Sequence, residues 1–158
     1  MSEVQRIVDQ LQRAWDGDAF HGPAVRSILE GVTAPHAFAR PIAGGHSIGE
    51  IALHIGTWED VVRRRLGGEV IDSLPDDQDW PTVREASASG WDATRRWLEE
   101  CHTRLEATVA ALPEARLREP VAARDYDVYV MLHGILQHGL YHAGQMALLK
   151  KAAEGDSR

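Results

Sequence analysis

Apolar residues recur at steps of three and four along most of the chain, and no run alternates as a half-buried strand would. Ser2 with Gln5 forms a capping-box pattern, and Val4, Ile7, Val8, Leu11 and Trp15 follow at helical spacing. This predicts a first helix that ends at Asp16-Gly17-Asp18. Gly22-Pro23 followed by Val25, Ile28 and Leu29 predicts a shorter helix. Residues 31–46, with Gly31, Pro35, Pro41 and Gly44-Gly45, show no period and read as a loop of the length that more often serves function than mere connection. Ser47 with Glu50 is a second capping box. It opens a long helix whose inward side carries Ile51, His54, Ile55, Trp58, Val61 and Val62, and Gly67-Gly68 closes it.

Residues 69–85 form an acidic connection with Trp80-Pro81 near its end, and their spacing is not that of a calcium loop. A third long helix carries Trp91, Thr94, Leu98, Cys101, Leu105, Thr108 and Leu112 on one line and stops at Pro113. The last helix is expected to begin near Asp125 or Asp127 and to run to about Ala152. With no internal repeat and no low-complexity tract, residues 1–158 are expected to form a single all-α domain, a helical bundle of four-helix type.

Composition narrows the function classes. The chain has 158 residues, enough for one domain with a proper core, and a formal net charge of −7, which argues against a nucleic-acid partner. Its basic run, Arg63-Arg64-Arg65, falls in a helical pattern and reads as a solvated face. No apolar run approaches the ~18–20 residues that cross a bilayer, and Met1 to Arg6 lack the layout of a signal peptide. Cys101 is the lone cysteine, which rules out an internal disulfide and suits a reducing cytoplasm.

The last helix carries the chemistry. Met131, Ile135, His138, His142, Gln145 and Leu149 share one face, so two imidazoles and an amide occupy a line otherwise given to aliphatic side chains. Burying a polar group without a partner costs about 2 kcal/mol or more, so something must satisfy them. Histidines four apart on a helix can reach one ion, and His54 adds a third inward imidazole from another helix. The residues alone leave two outcomes open: a metal site, or buried histidines satisfied by hydrogen bonds. Imidazole suits zinc, nickel, copper and iron alike, so the donors do not choose the ion.

Sharper motifs are excluded. Gly139 stands where the metalloprotease H-E-x-x-H motif has glutamate, so no general base comes built in. Only Glu99 to His102 has E-x-x-H spacing, too little for a di-iron carboxylate bundle. Phosphate loops and nucleophile elbows are absent. His102 is the preferred rival ligand, whereas His133, about 140° round the helix from His138, is expected on a flank. His21, His36 and His46 fall in loops or helix entries, where exposure is the default. Trp58 could wall a pocket. Gln145, one turn past His142, could orient a ligand, and Glu50, one turn before His54, could accept from that histidine's other ring nitrogen.

Gln137-His138-Gly-Leu-Tyr141-His142-Ala-Gly144-Gln145, together with Ile51-Ala-Leu-His54-Ile55, resembles the DinB/YfiT-like superfamily over nearly the whole chain. The resemblance implies a four-helix bundle, commonly homodimeric, in which His54, His138 and His142 hold a divalent ion, often zinc or nickel. It also implies a small-molecule substrate. Some members are transferases or isomerases that use a low-molecular-weight thiol as cosubstrate. The leading expectation is therefore a metal-dependent enzyme activating a thiol or water, thiol S-transferase-like or hydrolase-like. The rival is a non-catalytic bundle whose metal or histidine cluster is structural or serves binding or sensing.

Overall fold

The computed structural model describes residues 1–155, which are mostly helical; among them there is no strand, only an isolated bridge between Pro120 and Asp127. The helices are α1 (Glu3–Asp16), α2 (Val25–Leu29), α3 (Ala34–Phe38), α4 (Ile48–Leu66), α5 (Asp76–Asp79), α6 (Ala88–Ala110) and α7 (Val128–Gly155), with a 3-10 turn at Glu114–Arg118.

Local chemistry fixes the helix starts. Ser2 and Gln5 close a reciprocal capping box on α1, and Ser47 and Glu50 do the same on α4, so two otherwise orphaned N–H groups are satisfied at each. Ser87 Oγ accepts from the Gly90 N–H to cap α6, and Asp127 Oδ1 accepts from the Val130 N–H at the start of α7. Position 90 must be glycine, because a Cβ there would lie 1.9 Å from the Glu85 carbonyl oxygen, where the chain doubles back into the helix.

Of the four longest helices, α4 packs on α6 and α7, and α1 packs on the same two. They enclose two apolar clusters. One holds Ile48, Ile51, Ile55, Trp91, Leu98 and Met146, closed by α2 and α3. The other holds Ile7, Val62, Leu66, Leu105, Leu132 and Ile135, closed by the 3-10 turn. Each long helix that crosses both clusters carries polar residues between them: His54 and Glu59 on α4, His102 on α6, His138 and His142 on α7. A polar layer thus divides the core at mid-height.

Three expectations need correction. The stretch 31–46 is not all loop: Thr33-Ala34-Pro35 starts α3, since proline suits a first turn, and Phe38 packs so closely on Gly49 that a Cβ there would sit 2.8 Å from its ring. The acidic connection likewise contains α5, which Pro75 precedes. The basic run is not one solvated face: Arg63 pairs with Asp60 and Arg64 with Glu69, but Arg65 is buried.

One half of the polar layer is a pair unrelated to the candidate ligands. Glu59 Oε1 meets His102 Nδ1 at 3.0 Å, both residues are buried, and Trp15 stacks on the imidazole at 4.5 Å. Burial pushes the Glu59 carboxyl above the usual carboxylate range, opposed by His102. Breaking such a pair strands its partner away from water, so Glu59→Ala should destabilise the fold by about 3 kcal/mol. The midpoint of urea unfolding measures this, and an unchanged midpoint would contradict the assignment.

Candidate metal centre

The other half of the polar layer joins α4 to α7. His138 and His142 project from the same side of α7 one turn apart, and His54 faces them from α4. One ring nitrogen from each histidine lies within 4.8 Å of one from each of the others. His54 Nε2 and His138 Nε2 approach to 3.0 Å. These are the three residues that periodicity singled out.

The outer ring nitrogens decide what the inner ones present. His54 Nδ1 donates to the backbone carbonyl of Asp79 at 2.6 Å, and a carbonyl can only accept. The neutral ring therefore turns its Nε2 lone pair inward. His142 Nδ1 donates to Gln145 Oε1 at 2.7 Å, which leaves its Nε2 lone pair free as well. His138 Nδ1 is buried without a hydrogen-bond partner. Inward lone pairs repel unless a cation or proton stands between them, and ligands on a tetrahedral zinc sit about 3.3 Å apart for a Zn–N length of about 2.0–2.1 Å. The donor set and the spacing both fit a divalent ion.

Electrostatics agree. Burial, then the neighbouring His142 and His54, pulls His138 down to about 3. Burial likewise lowers His54, against the pull of Asp79, and lowers His142, against its bond to Gln145. The cluster is thus neutral around pH 7, the state that ligation requires.

The segment after α5 closes the site. Trp80 lies flat between two imidazoles, 3.8 Å from His54 and 3.6 Å from His46, with planes within 4° and 5°. Trp58 donates its indole N–H to Asp79 Oδ1 at 2.6 Å, pinning the residue whose carbonyl orients His54. Cys101 is buried, its thiol pushed up to about 12 by burial and nearby carboxylates, and it is not among the grouped donors.

The structure separates the remaining sequence candidates. Gln145 does orient His142. Glu50 does not serve His54: its carboxylate accepts from Ser47 N at 2.8 Å and pairs with Arg40, and the capping box turns it toward the helix start. The role foreseen for it belongs to the Asp79 carbonyl. His102 belongs to Glu59, and His133 packs beside Tyr129, 4.3 Å between rings. His46 is not freely exposed but stacked on Trp80. Asp79, Trp80 and His46 were missed. A tryptophan in an otherwise polar connection was the one available signal.

A family model described as the DinB superfamily matches residues 20–146. The chain belongs to the DinB superfamily. The match runs from before α2 into α7 and takes in all three histidines, together with Asp79, Trp80 and Gln145. No curated protein and no solved structure matches the chain significantly. DinB membership accounts for the helical architecture; the chemistry has to be read from the site.

Because folding depresses these imidazoles, the unfolded chain binds more protons below about pH 6.5, and stability should fall as pH drops from there toward 3. Metal-stripped protein is expected to lose about 2 kcal/mol more than its His138→Gln variant between pH 7.5 and pH 5. Denaturant unfolding at the two pH values measures the difference; equal losses would refute the inward, neutral placement of His138.

Proposed function

We propose that this DinB protein is a metal-dependent enzyme. In this reading His54, His138 and His142 hold zinc or nickel through their Nε2 atoms, and the site acts on a small-molecule substrate with a low-molecular-weight thiol as cosubstrate, or with water. The observation that carries it is the convergence of three neutral imidazole donors, with no fourth histidine, cysteine or carboxylate grouped with them among the described residues.

A divalent ion with an open position supplies Lewis acidity, lowering the pKa of a water or thiol bound there. The chain's own residues do the rest. Neutral histidines leave the cation's charge undiminished. Asp79 and Gln145 hold two of the rings in the tautomer that points Nε2 inward. Trp80 covers one face of His54 and restricts water there, and Trp58 stands edge-on to His138 at 6.2 Å. Among the described residues no carboxylate is grouped with the three histidines, which favours thiol activation, since a bound thiol ionises unaided. A homodimeric state and a cytoplasmic location belong to the same reading.

Elemental analysis of protein as purified tests it. The wild type and His21→Ala should carry about one divalent ion per chain, and His54→Ala, His138→Ala and His142→Ala less than about a tenth of that. Retention of metal by His138→Ala or His142→Ala would overturn the site. Gln145→Ala should weaken metal affinity about 10–100-fold by freeing the His142 ring, which competition with a chromogenic chelator measures. Metal-loaded protein should conjugate a thiol to members of an electrophile panel. A loaded protein that conjugates none, hydrolyses no ester and melts far lower once stripped would instead be a stapled, non-catalytic bundle.

A further inference from the structure

Beside the histidine cluster, the α4–α7 seam opens into a cleft of about 300 Å³, at the lower end of the range for small-molecule sites. Its wall includes Trp58, Arg65, Tyr126, Val130 and Gly134, and His138 forms part of it. Most of the lining is apolar; Arg65 is the exception that calls for an explanation.

Arg65 is only 7% exposed, and no ion pair is formed by it among the described residues. Its neighbours Arg63 and Arg64 each have a carboxylate, and Asp72, whose charge acts on Arg65, pairs with Arg124 at 3.5 Å. Arg65 Nε and Nη2 both donate to the Ile71 carbonyl, at 3.0 and 2.6 Å, and Nη1 donates to Tyr126 Oη at 3.3 Å. A guanidinium carries five N–H groups in a planar fork, so one on each terminal nitrogen is left over. The Trp58 ring face lies 5.8 Å from the guanidinium carbon, so every group that holds this buried cation is neutral, and its strongest available partner is a planar monoanion that takes two parallel N–H bonds. Tyr126 beside it supplies a hydroxyl to the same group.

The mouth of the cleft is open. Gly134 lies at the exposed mouth of the cleft in the interior of α7, where glycine costs stability. Nothing lies within 4 Å of a Cβ built there, so protein packing does not require it. The space it leaves opens onto the cleft.

We infer that this cleft binds a small organic acid, its carboxylate at Arg65 and Tyr126 and its apolar body lying along the seam toward His138. Binding in the cleft is independent of the metal; that the acid is a substrate rests on the metal-enzyme reading above. From Trp58 to Arg65 the α4 axis rises about 10 Å, enough to seat an acid of medium chain length.

Isothermal titration of the full chain with hexanoate and its neutral counterpart hexanamide tests this. Hexanoate should bind saturably to protein as purified, to metal-stripped protein and to His142→Ala alike, with hexanamide at least about tenfold weaker. Arg65→Met should lower hexanoate affinity at least about tenfold and Arg65→Lys less. If Arg65→Met fails to fold, Gly134→Leu decides: it fills the mouth without a clash and should abolish binding. Absence of saturation up to about 10 mM, equal affinity for hexanamide, or affinity unchanged in the variants would overturn the inference. So would binding lost on metal removal, because the carboxylate would then be held by the ion. The metal reading fails separately, on elemental content.

Discussion

The structure is built round the cost of putting imidazoles where aliphatic side chains belong. A helical bundle of this size could have run one apolar core from end to end, but here two apolar clusters are separated by a layer of buried polar groups. Each member of that layer is held by something specific: Glu59 by His102, His54 by Asp79, His142 by Gln145. Glu59 Oε2, His102 Nε2 and His138 Nδ1 are left without partners, and of these three residues only His138 turns its other ring nitrogen to the cluster, 3.0 Å from that of His54. Three imidazoles that turn their inner ring nitrogens toward a common spot are arranged for something that brings positive charge.

α4 carries this layer in both directions. His54 and Glu59 stand five residues apart and face different neighbours, one toward α7 and the other toward α6. The helix is thereby fixed in rotation from two sides, which keeps the histidine cluster aligned without help from the loops. The loop contribution is finer. The segment at Asp79-Trp80 selects the tautomer of His54 and covers the ring with an indole, and Trp58 reaches back from α4 to hold that segment in place.

Much of this was legible in the order of residues. The long helices announced themselves through capping boxes and periodicity, and the inward histidines stood out because polar side chains interrupted apolar lines. What stayed hidden was whatever reached the site from irregular chain. A backbone carbonyl has no residue signature, so Asp79 could not be recognised from its type, and the bland acidic stretch round it concealed its role. Glu50 misled for a related reason: one turn from His54 is the correct distance, but at the third helical position a glutamate turns back to the cap. Arg65 was hidden among three consecutive arginines whose exposures differ only because the helix rotates them by about 100° each.

The use of a main-chain oxygen to steer His54 changes which alterations the site tolerates. Any amino acid at position 79 brings the same carbonyl, so the ring would keep its orientation through side-chain drift there, although the Trp58 indole would lose its acceptor. Chain length is less forgiving. Inserting or removing one residue between α4 and Asp79 would move that oxygen by roughly a residue's span, about 3.5 Å, and leave the imidazole free to flip. For the orientation of His54, the length of this connection therefore matters more than the side chain at position 79.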